Sequence, residues 1–205
     1  MAETFAGDKG SARGALPAYD TGETRIEYDL QRLPLLTGPW RGLGAGPNGI
    51  VIEMAMDRLA RTAGVDPLDF RLDHARDTRL QRVLQRVAAL SRWPDPRPPA
   101  TDGRRHGRGI GCGIYKQSSY AAVVADVEVD TENRIRVTRV FCAHDCGRVI
   151  NPGHLRAQCE GNIAWSLGLV LFDQLPLEDG MVSATSFWDA PPPRLTDMPA
   201  MEIEL

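Results

Sequence analysis

Three groups of residues have the types and spacing that chemistry requires. In the first group, Cys142, His144 and Cys146 alternate along a run typical of a strand, so their side chains point the same way, as in a metal site. One-residue gaps are unlike the wider spacing of zinc ligands, and no second cluster accompanies them. The favoured interpretation is that these cysteines pack in the core, and we assign no metal ligand.

The second group is a thiol that would act as a nucleophile beside an imidazole. It would combine Cys146 or Cys112 with His144 or His154. Such a pair needs a third group that orients the histidine, and the sequence does not indicate one. We therefore assign no catalytic side chain.

The third group consists of two sharply turned polar segments, residues 38–47 and 145–158. Each of them leads into a helix, so the two together could grip one polyfunctional ligand. Unpaired N–H groups and the positive end of the helix dipole allow such a loop to hold an anion. The glycine spacing departs from the G-x-G-x-x-G dinucleotide motif. A phosphate-binding loop and a tight loop packed under Trp40 both remain open.

Helix signals dominate the chain up to residue 92. An apolar stripe follows Pro47 and stops at Gly64. Asp66 opens a second helix, and Asp77 or Thr78 caps a third. We interpret the arginines of the third helix as a solvated face: Arg79, Arg82 and Arg86.

Strand signals follow residue 107. Residues 121–129 and 135–143 alternate as a hairpin with a phase change near Thr138, which predicts either a bulge or burial on both faces. Shorter strands are expected at 23–30, around Asp179 and Gly180, and at 201–205. A four-residue apolar repeat predicts one long helix, through Leu155, Cys159, Ile163, Leu167 and Leu171.

These elements predict an α+β fold, with a helical N-terminal half and a mixed β-sheet crossed by the long packed helix. The expected organisation is a flexible lead-in at 1–22, a Gly-rich loop plus helical segment at 23–92, a Pro-rich linker at 93–107, and an α+β segment at 108–205. Whether the two halves share a core is left open.

Composition narrows the function classes. The 205 residues are 42% hydrophobic and carry a formal net charge of −3, which argues against a general affinity for nucleic acid. No apolar run approaches the ~20 residues that span a bilayer. Four cysteines are too few for a disulfide scaffold, so we expect a cytoplasmic protein, with periplasmic location as an exported complex as the alternative.

Several motifs resemble one known family. Residues 38–44 resemble the aromatic-Arg-Gly-aromatic-Gly loop of the xanthine dehydrogenase and aldehyde oxidase family, and residues 144–161 look like its H-D-x-G-x-x-x-N-P and Q-x-E-G signature. Residues 63–71 match as well. Trp40 and the segments 186–189 and 197–199 are most similar to the branch that contains the isoquinoline 1-oxidoreductase beta subunit. The resemblance covers about residues 30–205.

The resemblance implies a molybdopterin-binding segment of a molybdenum hydroxylase. Such enzymes hydroxylate aldehydes or N-heterocycles, hold molybdenum on a molybdopterin, usually the cytosine dinucleotide in bacteria, and pass electrons to a [2Fe-2S] partner subunit. Leu43 would lie at a substrate-lining position where the family has an aromatic residue. The implied cofactor-binding residues are Arg41, Gly42, Gly44, Gln158 and Gly161.

Other family motifs do not occur in this sequence. They include the Gly-x-Gly-Glu loop, whose glutamate activates the attacking oxygen, and the two glycine-rich segments near the dithiolene. Glu160 belongs to the Q-x-E-G motif and is no substitute. We therefore expect an incomplete subunit that requires the remaining portion, retains no full cofactor and is inactive alone. The alternative is a non-catalytic interaction module derived from the same scaffold.

Overall fold

The computed structural model describes residues 10–29, 31, 38–94 and 103–205. The helices in this part of the chain are α1 (Ala45–Ala63), α2 (Pro67–His74), α3 (Thr78–Ser91) and α4 (Pro152–Leu167). The strands are β1 (Arg105–Tyr115), β2 (Ser119–Val129), β3 (Ile135–Asp145), β4 (Leu177–Glu178), β5 (Met181–Val182) and β6 (Ala200–Glu204). None of the described helices is long and apolar enough to cross a bilayer.

A mixed four-stranded sheet organises the protein, in the order β1-β2-β3-β6. The first three strands are antiparallel neighbours, whereas β6 pairs parallel to β3. Asp126 lies opposite Arg139 and Val127 opposite Val137, so Thr138 is the extra residue of the predicted bulge. The predicted hairpin around Asp179 and Gly180 is also confirmed, as β4 and β5.

Helices cover both faces of this sheet because successive strand residues point to opposite sides. On one face, Val124 and Phe141 pack in a single apolar cluster with side chains of α1, α2 and α3. On the other face, Cys142 packs against Cys159 of α4 and Ile203 of β6. The helical half and the sheet therefore share one core, and the predicted α+β class is confirmed.

The predicted helix boundaries are mostly confirmed. Gly64 ends α1 in the left-handed conformation with φ 68°, and Asp66 accepts hydrogen bonds from two N–H groups at the start of α2. Asp77 caps α3 in the same way. The helix α1 begins at Ala45, before Pro47, because the Gly44 carbonyl already accepts a helical hydrogen bond from the Asn48 N–H. The long helix ends as α-helix at Leu167 and continues as one π-helical turn, Gly168–Phe172.

Three expectations need correction or comment. Residues 23–29 form no strand, so that prediction is wrong over its described part: Ile26 is 44% exposed, and alternation without a partner strand forms no sheet. Leu30 lies outside the described residues.

Within the expected lead-in, Tyr19 is buried and forms a β-bridge with Ala75, so this part packs on the core. Strand β1 begins at Arg105, inside the expected linker, whose residues 95–102 are not described.

The arginine face of α3 is not simply solvated. Arg79 forms an ion pair with Asp145 at the end of β3, and Arg86 forms one with Glu204 of β6. These contacts form because α3 packs across the sheet and brings the two arginines to the two carboxylates. More than 60 residues of sequence separate the partners of each pair.

Candidate functional site

A tight turn at residues 40–44 presents the first half of the candidate site. The Leu43 N–H donates to the Trp40 carbonyl at 2.8 Å, and both Gly42 (φ 85°) and Leu43 (φ 55°) adopt left-handed backbone conformations. The Gly44 N–H donates to the Gly10 carbonyl at 2.9 Å, which anchors the turn. A Cβ on Gly44 would lie 2.0 Å from the Ser11 carbonyl oxygen, so only glycine fits there.

The N-terminal part of α4 presents the second half. Asn151 caps the helix, since its Oδ1 accepts the His154 N–H at 3.0 Å, and Pro152 occupies the first turn. Cys159 is buried against the sheet, and Gln158, about 100° away around the helix, points off the buried face and is exposed. The helix start therefore fixes which polar side chain faces outward.

The two halves meet, as the sequence predicts. Arg41 Nη2 donates to Gln158 Oε1 at 3.1 Å, although 117 residues separate them. The Arg41 guanidinium carbon lies 5.3 Å from the centre of the Trp165 ring, within cation–π range. Trp40 completes the group, with its ring centre 5.4 Å from that of Trp165 and the ring planes at 66°. We call Trp40, Arg41, Gln158 and Trp165 the Arg41–Gln158 cluster.

The remaining predicted site residues lie around this cluster. Gly161 is exposed one turn after Gln158 on α4, and a Cβ there would meet nothing within 4 Å. Leu43 is half-buried in the turn. The geometry joins Arg41 to Gln158, while the binding roles of all six residues stay predictions.

Asp145 of the His-Asp motif stabilises the turn before α4. Its carboxylate accepts two hydrogen bonds from Arg79, at 2.8 and 2.7 Å, and one from the Gly147 N–H at 2.8 Å. The Arg79 hydrogen bond and the Gly147 N–H lower the pKa of Asp145 to about 2. The carboxylate therefore stays ionised at neutral pH and holds the turn in place.

The positions of the cysteines and histidines bear on the two alternative sites. Among the described residues, no group of three His, Cys, Asp or Glu side chains could hold a metal ion. Cys142 packs on α4, His144 lies 3.5 Å from the Ser119 hydroxyl, and Cys146 follows the end of β3. Burial and the nearby Glu53 raise the pKa of Cys112 to about 12, which disfavours the thiolate that nucleophilic attack requires.

A cavity of about 410 Å³ lies between α3 and the end of β3. Arg82, His144, Cys146 and Val149 are among its lining residues. Burial lowers the pKa of His144, which favours the neutral imidazole. Because its lining includes no member of the Arg41–Gln158 cluster, this cavity is a separate feature.

A buried polar network links α1, α2 and the N-terminal segment, and the sequence analysis did not find it. Arg71 is completely buried, and its Nε donates to Glu53 Oε2 at 2.9 Å. Glu53 also accepts from the Tyr19 hydroxyl at 2.7 Å and the Cys112 N–H at 3.1 Å. One sequence signal was available, since Arg71 follows the buried Leu68 by three residues and so shares its inward face.

Comparison with known proteins gives one matching family and several relatives. The molybdopterin cofactor-binding domain family matches residues 52–199. One nicotinate dehydrogenase subunit of Pseudomonas putida is 33% identical over 93% of this chain, which spans 17% of that protein. The beta subunit of isoquinoline 1-oxidoreductase from Brevundimonas diminuta is 31% identical over 97% of this chain, which spans 25% of that relative.

The solved structures support the fold independently. The aldehyde oxidoreductase of Desulfovibrio gigas superposes with a TM-score of 0.65 and 13% identity, over 80% of this chain and 35% of that one. The aldehyde oxidoreductase of Desulfovibrio desulfuricans superposes with a TM-score of 0.64 and 12% identity, over 81% of this chain and 35% of that one. At such low identity these likenesses establish the architecture alone.

Proposed function

This chain belongs to the molybdopterin cofactor-binding domain family, and we propose that it works as one portion of the molybdenum-binding subunit of a hydroxylase. The substrates of the complete assembly would be aldehydes or N-heterocycles. Two relatives that span nearly the whole chain are named as subunits of oxidoreductases. The 205 residues span at most about a quarter of those two proteins, so we propose that further protein completes the active site.

The observation that carries this proposal is the 3.1 Å contact between Arg41 and Gln158. A pterin has a polar edge that both donates and accepts hydrogen bonds, and its dinucleotide form adds a pyrophosphate. Arg41 offers several N–H donors to anionic or carbonyl oxygens, and the Gln158 amide can both donate and accept. The residue types therefore fit the group.

The remaining residues of the proposed site act by leaving room and fixing position. Gly42 and Gly44 hold the turn that carries Arg41, and Gly161 leaves the α4 surface free of side-chain atoms. Leu43 would contribute apolar contact to the substrate side. When bound, the cofactor would supply the redox chemistry, and we propose its cytosine dinucleotide form.

We propose two partners for this chain: the remaining portion of the molybdenum subunit and a [2Fe-2S] subunit that accepts electrons. The proposed compartment is the cytoplasm, with the periplasm as the alternative for an exported complex. Hydrogen bonds to a pterin edge are stronger when water is excluded, whereas Trp40 is 51% exposed here. We propose that the partner portion covers this surface.

Molybdenum analysis and activity assays test the proposal. The chain should be purified alone and together with the polypeptides that accompany it in its native cells. We expect molybdenum and hydroxylase activity in the assembly and neither in the isolated chain. An assembly without molybdenum would indicate the non-catalytic interaction module, and stoichiometric molybdenum with activity in the isolated chain would refute the need for a partner portion.

A further inference from the structure

We infer that Trp40 and Trp165, together with the bare surface at Gly161, form a stacking platform for a planar heteroaromatic ring whose hydrogen-bonding edge faces Arg41 and Gln158. This inference rests on the proposed function because it adds an aromatic contact to the same site. The ligand class is a flat ring with polar edge atoms, a description that fits both a pterin and an N-heterocyclic substrate.

The two tryptophans are held in place yet remain accessible. Their edge-to-face contact at 5.4 Å fixes their relative orientation, and the Arg41 guanidinium over Trp165 restricts it further. Trp40 is nevertheless 51% exposed and Trp165 37% exposed. An ordered aromatic surface beside an Arg–Gln hydrogen-bonding pair has the composition of a site for a flat, polar-edged ring.

Gly161 provides a second, independent observation. It lies inside α4, where glycine costs roughly 0.5–1 kcal/mol relative to alanine. Nothing in the described structure requires this cost, since an added Cβ meets no atom within 4 Å. On the helix surface, Gly161 lies between Gln158 and Trp165, at spacings of three and four residues. A ligand that approaches the α4 backbone closely accounts for the missing side chain.

The test measures binding of three small probes to the full 205-residue chain by NMR of the tryptophan indole N–H groups. The probes are nicotinate, pterin-6-carboxylate and cyclohexanecarboxylate, which has the charge of nicotinate but no aromatic face. We expect both aromatic probes to shift the signals of Trp40 and Trp165. Trp93, whose indole donates to Asp66 at 3.0 Å, and Trp188, which is 88% exposed, serve as internal controls and should not respond.

Three variants locate the contact. We expect Trp40→Leu to weaken binding of the aromatic probes roughly tenfold, a typical loss for one stacking contact, and Trp188→Leu to leave it unchanged. Gly161→Ala should weaken binding without lowering the melting temperature. Gly49→Ala, at a position inside α1 where an added Cβ also meets nothing within 4 Å, is the matched control and should weaken neither probe binding nor thermal stability.

The outcomes separate the platform from the proposed function. Equal binding of cyclohexanecarboxylate, equal shifts at Trp188, or unchanged binding by Trp40→Leu would overturn the platform. If pterin-6-carboxylate binds, depends on Arg41 and ignores Trp40, the proposed function stands and this inference fails. If only nicotinate binds and Trp40→Leu abolishes that binding, the platform stands as a substrate surface and the cofactor role of the cluster fails.

Discussion

At the scale of single residues, Arg71 shows how strongly the interior constrains this chain. Its guanidinium is fully buried, and it is tied to Glu53 at 2.9 Å, to Asp57 at 2.7 Å and to the Pro67 carbonyl at 3.0 Å. Burying a charge is unfavourable unless partners replace its water, and here they do. The network joins α1 to α2 and, through Tyr19, to the N-terminal segment.

Removing one partner of this network should destabilise the protein strongly. We expect Arg71→Met to lower the free energy of unfolding by about 3–5 kcal/mol, because Glu53 and Asp57 lose their buried counter-charge. Urea denaturation measures the change. The matched control is Arg76→Met, which breaks an exposed ion pair with Asp20 and should cost at most about 1 kcal/mol. Equal losses in the two variants would contradict this account.

Asp145 gives a prediction on pH. Its folded-state pKa of about 2 lies below the ~3.9 of an unfolded aspartate, so it stabilises the fold fully above pH ~4 and loses that contribution as pH falls towards 2. Stability of the wild type should therefore fall more steeply between pH 4 and 2 than that of Asp145→Asn. Chemical denaturation at several pH values measures both slopes, and parallel slopes would count against the Arg79 contact.

At the scale of elements, the turn at residues 40–44 determines where Arg41 points. Gly44→Ala would place a Cβ 2.0 Å from the Ser11 carbonyl oxygen, so either the turn or residues 10–14 must move. We expect a lower melting temperature and loss of probe binding at the Arg41–Gln158 cluster. Gly49→Ala, five residues later inside α1 and with nothing within 4 Å of the added Cβ, should instead stabilise α1 by roughly 0.5–1 kcal/mol. Similar effects of both substitutions would disprove the fit at Gly44.

Local signals explain which elements the sequence predicts correctly. The end of α1 and the starts of α2 and α3 depend on Gly64, Asp66 and Asp77, whose own backbone and side-chain preferences act within a few residues. The bulge at Thr138 is predictable because the alternation of apolar and polar residues changes phase there. Such features need no knowledge of distant partners.

Long-range contacts explain what the sequence analysis missed. Residues 23–29 alternate like a strand but pair with no strand in the described part of the chain, and alternation alone cannot reveal that. The helical pattern predicts a solvated Arg79, because its ion pair with Asp145 exists only where α3 packs across the end of β3. The pairing of the two segments that carry Arg41 and Gln158 is predicted from their residue pattern, whereas the contact of Arg41 with Trp165 depends on how α4 packs beside the turn.

At the scale of the whole molecule, one apolar core spans α1–α3 and the sheet. Circular dichroism of the helices and the NMR signal of the Trp93 indole N–H, whose ring packs against this core, should therefore report the same unfolding midpoint. Leu84→Ala, at a completely buried position, should lower the unfolding free energy by about 2–5 kcal/mol and move both transitions together. Two separated transitions would indicate that the helical half and the sheet fold independently.

The central claim is that Arg41 and Gln158 hold a molybdopterin cofactor once the chain is joined by its partner protein. The most direct measurement is the molybdenum content of the assembly recovered with this chain. We expect about one metal per assembly for the wild type, a large loss for Arg41→Ala and Gln158→Ala, and no loss for Arg58→Ala on the exposed side of α1. Full molybdenum content in both cluster variants, or none in the wild-type assembly, would contradict the claim.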